Sequence, residues 1–497
     1  MNKAKKLVKN LITPGETLSQ KVVKGGFWVF FLRIVNRGFS LVRLVILARI
    51  LSPNDFGLMG IALLTMSTLE TFSQTGFQQA LIQKKEDIES YLNSAWTVLI
   101  LRGFILFIIL YFIAPYAAIF FNTPEAKPII RVIGFSILFQ AFTNIGITYF
   151  KKELEFNKEF IYQFAGTLAD FIVAVSAVLI LRNVWALVFG LLAGNIARCF
   201  VSYLIHPYRP HLSKDLGRAK ELFGFGKWIM GSSIIIFLIT QGDDIFVGKI
   251  LGTTALGFYQ LAYRISNMPA TEITHVISQV TFPAYSKLQD NIPKLREAYL
   301  KVLQVTAFLS FPIAGLIFVL APDFTKIFLG EKWMPMVPVM MVLVLWGTIR
   351  SIGVHHGSVL QAVGRPDILT KLNIIKLAIL VILIYPLSIK WGITGTSLAV
   401  TISAVFITPI ALYITISKIL IGKMRMICKI ISIPFISTLF MTLLLRILII
   451  NNLSLLEFIL AGLLGATFYF ITTYVLDNIL KQKIWYNLKT IISGVIK

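Results

Sequence analysis

Apolar stretches of membrane-spanning length follow one another along almost the whole chain. Most contain about 20 residues or more, the length that a helix needs to cross the hydrocarbon core, and no polar interval is long enough for a soluble domain. Charged residues make up only 14% of the 497 residues, against about 25% in soluble domains. The sequence therefore predicts an all-α integral membrane protein with about fourteen transmembrane helices, at approximately 23–49, 57–82, 94–121, 128–150, 160–181, 184–206, 227–249, 255–283, 299–321, 335–360, 368–389, 391–417, 427–450 and 454–477.

Basic residues are concentrated in alternate loops and at both ends of the chain. They include a basic arm at 1–24, a linker at 207–226 and a tail at 479–497. Because cytoplasmic loops carry the excess of Lys and Arg, the sequence predicts a multi-pass protein of the cell membrane with both termini in the cytoplasm. These loops account for most of the net charge of +24, so we expect contacts with membrane lipids and no nucleic-acid partner.

The chain repeats itself at an offset of 200 residues. The coincidences fall at glycine, tryptophan and basic positions: Gly26 and Trp28 match Gly226 and Trp228, residues 48–51 match 248–251, and Gly57 matches Gly257. An even number of helices separates the copies, so they have the same orientation. Parallel repeats of this kind build transporters. We therefore predict two parallel six-helix repeats as an N-terminal lobe (25–206) and a C-terminal lobe (227–417), plus two appended helices (427–478).

Three arginines, Arg33, Arg37 and Arg43, share one face of the first predicted helix. An arginine at a helix centre costs roughly 2.5–3.5 kcal/mol on the insertion scale, so this face is expected to point into protein or a water-filled cavity. One interpretation is a site for a phosphate or pyrophosphate, which guanidinium groups bind bidentately. The other is neutralisation by Glu70, Asp170, Asp243 or Asp244. The sequence leaves both open.

Further polar residues fall inside apolar stretches. Asn36, Gln74, Arg264 and Arg350 complete the predicted substrate-binding set with the three arginines. Glu70, Asp170, Asp243 and Asp244 could couple transport to H+ or Na+, or serve as salt-bridge partners. Arg102, Arg131 and Arg446 lie near predicted helix ends, within reach of the interface, and are left out. No P-loop, hydrolase motif or metal-ligand spacing occurs, so we predict no catalytic residues, no metal and no cofactor.

Several runs resemble polysaccharide exporters of the Wzx type, within them the WzxC and teichuronic-acid exporter branch. They are the run from Leu47 to Leu58 (LARILSPNDFGL), residues 76–84 (GFQQALIQK), residues 151–156 (KKELEF) and the segment from Asp243 to Tyr259. The likeness extends to about residue 420. These exporters belong to the multidrug/oligosaccharidyl-lipid/polysaccharide flippase superfamily.

The resemblance implies a two-lobed transporter that moves a polyprenyl-(pyro)phosphate-linked oligosaccharide to the outer leaflet by alternating access. It also implies that Arg33, Arg37 and Arg264 hold the lipid phosphate, and that the protein could work with polysaccharide polymerase machinery. A flippase for lipid-linked peptidoglycan precursors and a cation-coupled drug antiporter of the same superfamily remain alternatives. A membrane sugar polymerase or ligase would need a larger outer loop than the chain offers near 322–334.

Overall fold

The computed structural model describes the chain as two compact units, Met1–Gly257 and Phe258–Lys497. Within them it describes residues 18–74, 88–153, 155–213, 233–268, 288–449 and 453–482, and the single positions 77, 81, 271, 285, 286, 484 and 485. All regular elements of this described part are helices. The predicted all-α fold class is therefore confirmed, whereas the predicted lobe boundaries stay a prediction.

The first unit contains α1 (Leu18–Ile50), α2 (Pro53–Phe72), α3 (Glu89–Phe120), α4 (Ala126–Phe142), α5 (Phe156–Leu181) and α6 (Trp185–Ile205). Helix α7 covers 233–251 and ends in the π-helical turn Val247–Leu251. Helix α8 (Thr253–Ser266) begins in this unit and continues in the second. Because α1 starts at Leu18, the last residues of the predicted arm 1–24 are helical.

The second unit contains α9 (Ile292–Phe324), α10 (Val337–Ala362), α13 (Met424–Leu448) and α14 (Leu455–Leu480). Between α10 and α13 the helical run Pro366–Tyr413 is broken at Trp391 and Gly392. The break separates α11 (366–390) from α12 (393–413), as the sequence predicted. Gly392 has φ +57°, a backbone conformation that favours glycine.

Eight helices in the described part are long and apolar enough to cross a membrane, or nine if the bent pair Ala126–Phe142 and Ile145–Lys152 is one span. One of the eight is Pro366–Ile419, which contains the break between α11 and α12. The structure is thus a multi-pass membrane protein, and the figure of fourteen spans stays a prediction.

Three predicted helices end earlier than their apolar stretches. One of them is α8, which ends at Ser266 where the sequence predicted 255–283. Helix α2 ends at Phe72, whereas the sequence predicted 57–82. Helix α4 ends at Phe142, and the chain bends by 69° before continuing as Ile145–Lys152. The bend follows from Asn144, whose side chain accepts a hydrogen bond from the Gly146 amide (2.9 Å) and donates one to the Tyr208 carbonyl (2.7 Å). A continuous helix at 128–150 was therefore wrong.

The start of α2 explains one of the family-like runs. The Ser52 hydroxyl accepts a hydrogen bond from the Asp55 amide (3.3 Å), and the Asp55 carboxylate accepts one from the Ser52 amide (2.9 Å). This capping box satisfies two amides that a helix N-terminus leaves open. The other carboxylate oxygen of Asp55 accepts the Val184 amide (3.1 Å). The same aspartate therefore starts α2 and attaches it to the beginning of α6.

Helices α2 and α8 touch at two glycines of the first unit. A Cβ atom on Gly57 would overlap the Thr253 carbonyl oxygen, and one on Gly257 would overlap the Pro53 carbonyl oxygen. The two contacts are related by the 200-residue offset, because Pro53 corresponds to Thr253 and Gly57 to Gly257. The matched glycines of the sequence repeat thus permit a reciprocal backbone contact.

We expect Gly57→Ala to lower the thermal midpoint of the purified protein, because the new methyl group forces the two backbones apart. Overpacking of this kind costs roughly 1–3 kcal/mol. The matched control is Gly38→Ala on α1, where a Cβ atom meets nothing within 4 Å and should stabilise the helix by up to about 1 kcal/mol. Equal midpoints for the two variants would contradict the close contact.

Candidate functional site

The arginine face of α1 packs against α5. Phe39 contacts Phe164 and Phe171 edge to face, with ring centroids 5.6 and 5.2 Å apart. One turn further along, Arg43 Nη2 lies 3.0 Å from Asp170 Oδ1, and the two side chains are only 18% and 24% exposed. Arg43 is therefore neutralised by one of the carboxylates that the sequence left as alternatives.

The other residues of this face are described to different extents. Arg37 and Asn36 are half-buried on α1. The Asn36 Oδ1 atom is buried and accepts no hydrogen bond from the described residues. Arg33 lies on α1, but its side chain is outside the described part of the structure. The structure therefore assigns a partner to Arg43 and leaves the role of Arg33 and Arg37 as a prediction.

Arg102 on α3 holds the C-terminal end of α2. Its guanidinium donates to the Ser73 carbonyl (2.8 Å), the Ser73 hydroxyl (2.9 Å) and the Glu70 carbonyl (3.0 Å). The last carbonyls of a helix have no partner within the helix, so the arginine satisfies groups that would otherwise be open. Arg102 was predicted to reach the interface from near a helix end, and the sequence did not indicate this contact between helices.

Glu70 and Gln74 line a cavity of about 390 Å³ that Arg102 also borders. Gln140 from α4, Glu159 from α5 and Lys151 from the segment after the bend also contribute polar groups to its lining. The sequence predicted Glu70 and Gln74 as functional residues but placed them in different sets. The structure brings them together, and it adds residues that apolar periodicity did not single out.

Asp243 and Asp244 are buried on α7, with 2% and 9% of each residue exposed. The ion pair between Arg43 and Asp170 involves neither of them. Their predicted role in ion coupling or as salt-bridge partners stays a prediction.

In the second unit, Arg350 on α10 lies over an aromatic ring. Its guanidinium carbon is 5.2 Å from the Trp346 ring centroid, and Nη1 donates to Asn267 Oδ1 at 3.3 Å. Lys376 Nζ lies 6.0 Å from the same ring. Arg350 has no carboxylate at ion-pair distance among the described residues. Arg264, the other predicted arginine of this region, is exposed on α8.

The sequence matches a known protein family. A model of the family described as polysaccharide biosynthesis protein matches residues 46–338, more than half of the 497-residue chain. The chain belongs to this family. The likeness to Wzx-type exporters that the sequence predicted is thereby confirmed.

Two relatives and one solved structure define the likeness. The chain is 27% identical over 425 residues to the lipopolysaccharide biosynthesis protein WzxC of Escherichia coli (strain K12). The aligned region covers 84% of this chain and 86% of that protein. It is 30% identical over 299 residues to the teichuronic acid biosynthesis protein TuaB of Bacillus subtilis (strain 168), covering 59% and 61%. The lipid II flippase MurJ, in an inward closed conformation, matches with a TM-score of 0.75 and 16% identity over 91% of this chain and 100% of that one. At this identity the likeness to MurJ shows the fold alone.

We expect Asp170→Asn to lower the thermal midpoint, because it leaves the Arg43 guanidinium uncompensated. The loss should be smaller than the roughly 3–5 kcal/mol of a fully buried pair, since both side chains keep some exposure. The double variant Arg43→Met/Asp170→Leu should recover most of the loss. The matched control is Asp367→Asn, whose pair with Arg365 is exposed and whose loss should leave the midpoint unchanged. A double variant as unstable as Asp170→Asn would show that the pair is not the cause.

A histidine borders the bend that follows α4. The His206 ring stacks on Tyr149, with centroids 5.6 Å apart and an interplanar angle of 2°. Its Nδ1 accepts a hydrogen bond from the Tyr208 amide (3.1 Å), which requires that nitrogen to carry no proton. Burial lowers the pKa of His206, and Lys158 lowers it further.

Because the folded state binds this proton less readily than the unfolded chain, the unfolding free energy should fall as the pH drops through 6.5, the ordinary pKa of His206. We expect His206→Asn, which keeps an acceptor but does not titrate, to weaken this decline. The measurement is the thermal midpoint between about pH 8 and pH 5. An identical pH profile for His206→Asn would contradict the assignment.

Proposed function

We propose that this protein flips a polyprenyl-(pyro)phosphate-linked oligosaccharide from the cytoplasmic to the outer leaflet, for export of cell-surface polysaccharide. The observation that carries the proposal is the family match over more than half of the chain. The names of the relatives support it, since WzxC and TuaB are lipopolysaccharide and teichuronic acid biosynthesis proteins. In this proposal the protein is a transporter of the cell membrane, with both termini in the cytoplasm.

The distribution of polar side chains supports a cargo with a polar headgroup. A sugar and phosphate headgroup cannot cross hydrocarbon unless protein groups replace its water. Both units place such groups within apolar helices: Glu70 and Arg102 in the first, and Arg350 beside Asn267 in the second. The polyprenyl tail can remain in lipid while the headgroup moves.

Among the predicted arginines, Arg350 is the best supported for the phosphate. Asp170 already neutralises Arg43, whereas Arg350 donates to a neutral amide and stacks on an indole. A guanidinium held in this way keeps its positive charge for an anion, and it can bind a phosphate bidentately. We retain three further arginines as proposed phosphate ligands because the resemblance to Wzx-type exporters implies this role: Arg33, Arg37 and Arg264.

Alternating access between the predicted lobes completes the mechanism. The site must bind the headgroup similarly in the inward and outward states, because a large difference would trap one state. Coupling to H+ or Na+ through the buried Asp243 and Asp244 would supply direction. Polysaccharide polymerase machinery at the outer face would remove the product.

The test is translocation of a fluorescent polyprenyl-pyrophosphate oligosaccharide by the full chain in liposomes. We expect Arg350→Gln to slow translocation by about tenfold or more, the loss of one charge-assisted hydrogen bond of roughly 1.5–3 kcal/mol. The control Arg365→Gln removes an exposed arginine and should transport at the parental rate. An unchanged rate for Arg350→Gln would show that this arginine is structural. Translocation of a lipid-linked peptidoglycan precursor but of no oligosaccharide cargo would overturn the proposed substrate.

A further inference from the structure

The cavity of the first unit is built by breaks in two helices. Helix α2 ends at Phe72, and the 69° bend after Phe142 turns the chain away from α4. The space so opened lies between α2, α3, α4 and α5 and measures about 390 Å³. The apolar pattern of the sequence predicts neither break. Continuous helices at 57–82 and 128–150 would leave no such cavity.

Part of the polar lining is fixed by hydrogen bonds within the protein. Arg102 is held by Ser73 and by the Glu70 carbonyl. On the opposite side, Lys151 Nζ lies 3.7 Å from Glu159 Oε1, which also accepts a hydrogen bond from Gln163 (3.0 Å). These groups give the cavity walls a defined shape.

Another part of the lining is open. The Glu70 carboxylate and the side-chain amides of Gln74 and Gln140 border the cavity. None of the three side chains forms a hydrogen bond with a residue in the described part of the chain. Between them they offer a carboxylate, two carbonyl acceptors and two NH2 donor groups to a ligand.

The charges of the lining limit the class of ligand. Two carboxyl groups, Glu70 and Glu159, and two basic groups, Arg102 and Lys151, line the cavity, so its formal charges balance and do not select a phosphate or a drug cation. A bound metal cation would need converging oxygen ligands, and Arg102 beside Glu70 disfavours it. The volume falls in the range of roughly 300–1,000 Å³ typical of small-molecule sites. A neutral, hydroxyl-rich ligand fits both the charge and the mixture of donors and acceptors.

We propose that this cavity binds one or two sugar residues of the oligosaccharide cargo. The inference rests on the proposed function, since it names the part of the cargo that the first unit recognises. The phosphate contributes nothing to this site, so binding should survive its removal. Glu70, Gln74 and Gln140 bind the sugar hydroxyls, and Arg102 positions Glu70 by holding the end of α2.

The experiment is calorimetric titration of the purified full chain in nanodiscs with a water-soluble oligosaccharide. Mild acid releases this oligosaccharide from the lipid-linked oligosaccharides of the cells that produce the protein. We expect the parent to bind it and Gln140→Leu to weaken binding by about tenfold or more. Glu70→Gln keeps an acceptor and should weaken binding less. The matched control is Gln361→Leu on α10, an exposed position in the second unit, with unchanged affinity. Thermal midpoints show that each variant is folded.

The outcomes separate this inference from the proposed transport. If the lipid-linked oligosaccharide is translocated but the released oligosaccharide gives no binding, or binds Gln140→Leu as tightly as the parent, the sugar site is wrong and the flippase stands. If the released oligosaccharide binds and Gln140→Leu abolishes binding while no lipid-linked cargo moves, the sugar site stands and the transport proposal fails. A response to Na+ or H+ alone, lost in Glu70→Gln, would replace the sugar site by a cation site.

Discussion

The cost of placing charged side chains among apolar helices is the constraint on which this structure depends. Three arginines within these helices meet it differently. Arg43 faces the carboxylate of Asp170, Arg102 donates to backbone oxygens at the end of α2, and Arg350 uses an amide and an indole ring. Each solution joins two segments, because Asp170, the end of α2 and Asn267 lie on other parts of the chain than the arginines they contact. Charges that are expensive to bury thus also specify which helices pack together.

Helix α2 shows how such contacts position an element. Its first turn is closed by Ser52 and Asp55, and Asp55 also binds the start of α6. Its last turn is held by Arg102 from α3. Between these ends, Gly57 allows the backbone of α8 to approach. Hydrophobic packing in a bilayer gives little preference for one helix neighbour over another, so polar ends and a glycine contact are what define the position of α2.

The apolar pattern was sufficient to predict most helices, because length and hydropathy decide whether a segment can span a membrane. It predicted separate helices at 368–389 and 391–417, and the structure breaks the helical run close to that point, at Trp391 and Gly392. It did not predict the ends of α2 and α4. Asn144 ends α4 by hydrogen bonds to Gly146 and Tyr208, and Tyr208 lies far away in sequence. For the same reason the sequence did not decide which of four carboxylates pairs with Arg43. It also did not indicate that Arg102 contacts the end of α2.

The distinction between satisfied and open polar groups separates structure from function in this chain. Asp170 and Glu159 have their charges balanced by described cations, so they contribute to the walls of the first unit. Gln140 and Gln74 border a cavity without side-chain partners among the described residues, so their amide groups are available to water or to a ligand. Amide groups that are available in this way suit a polar ligand that binds reversibly and that the protein carries across the membrane.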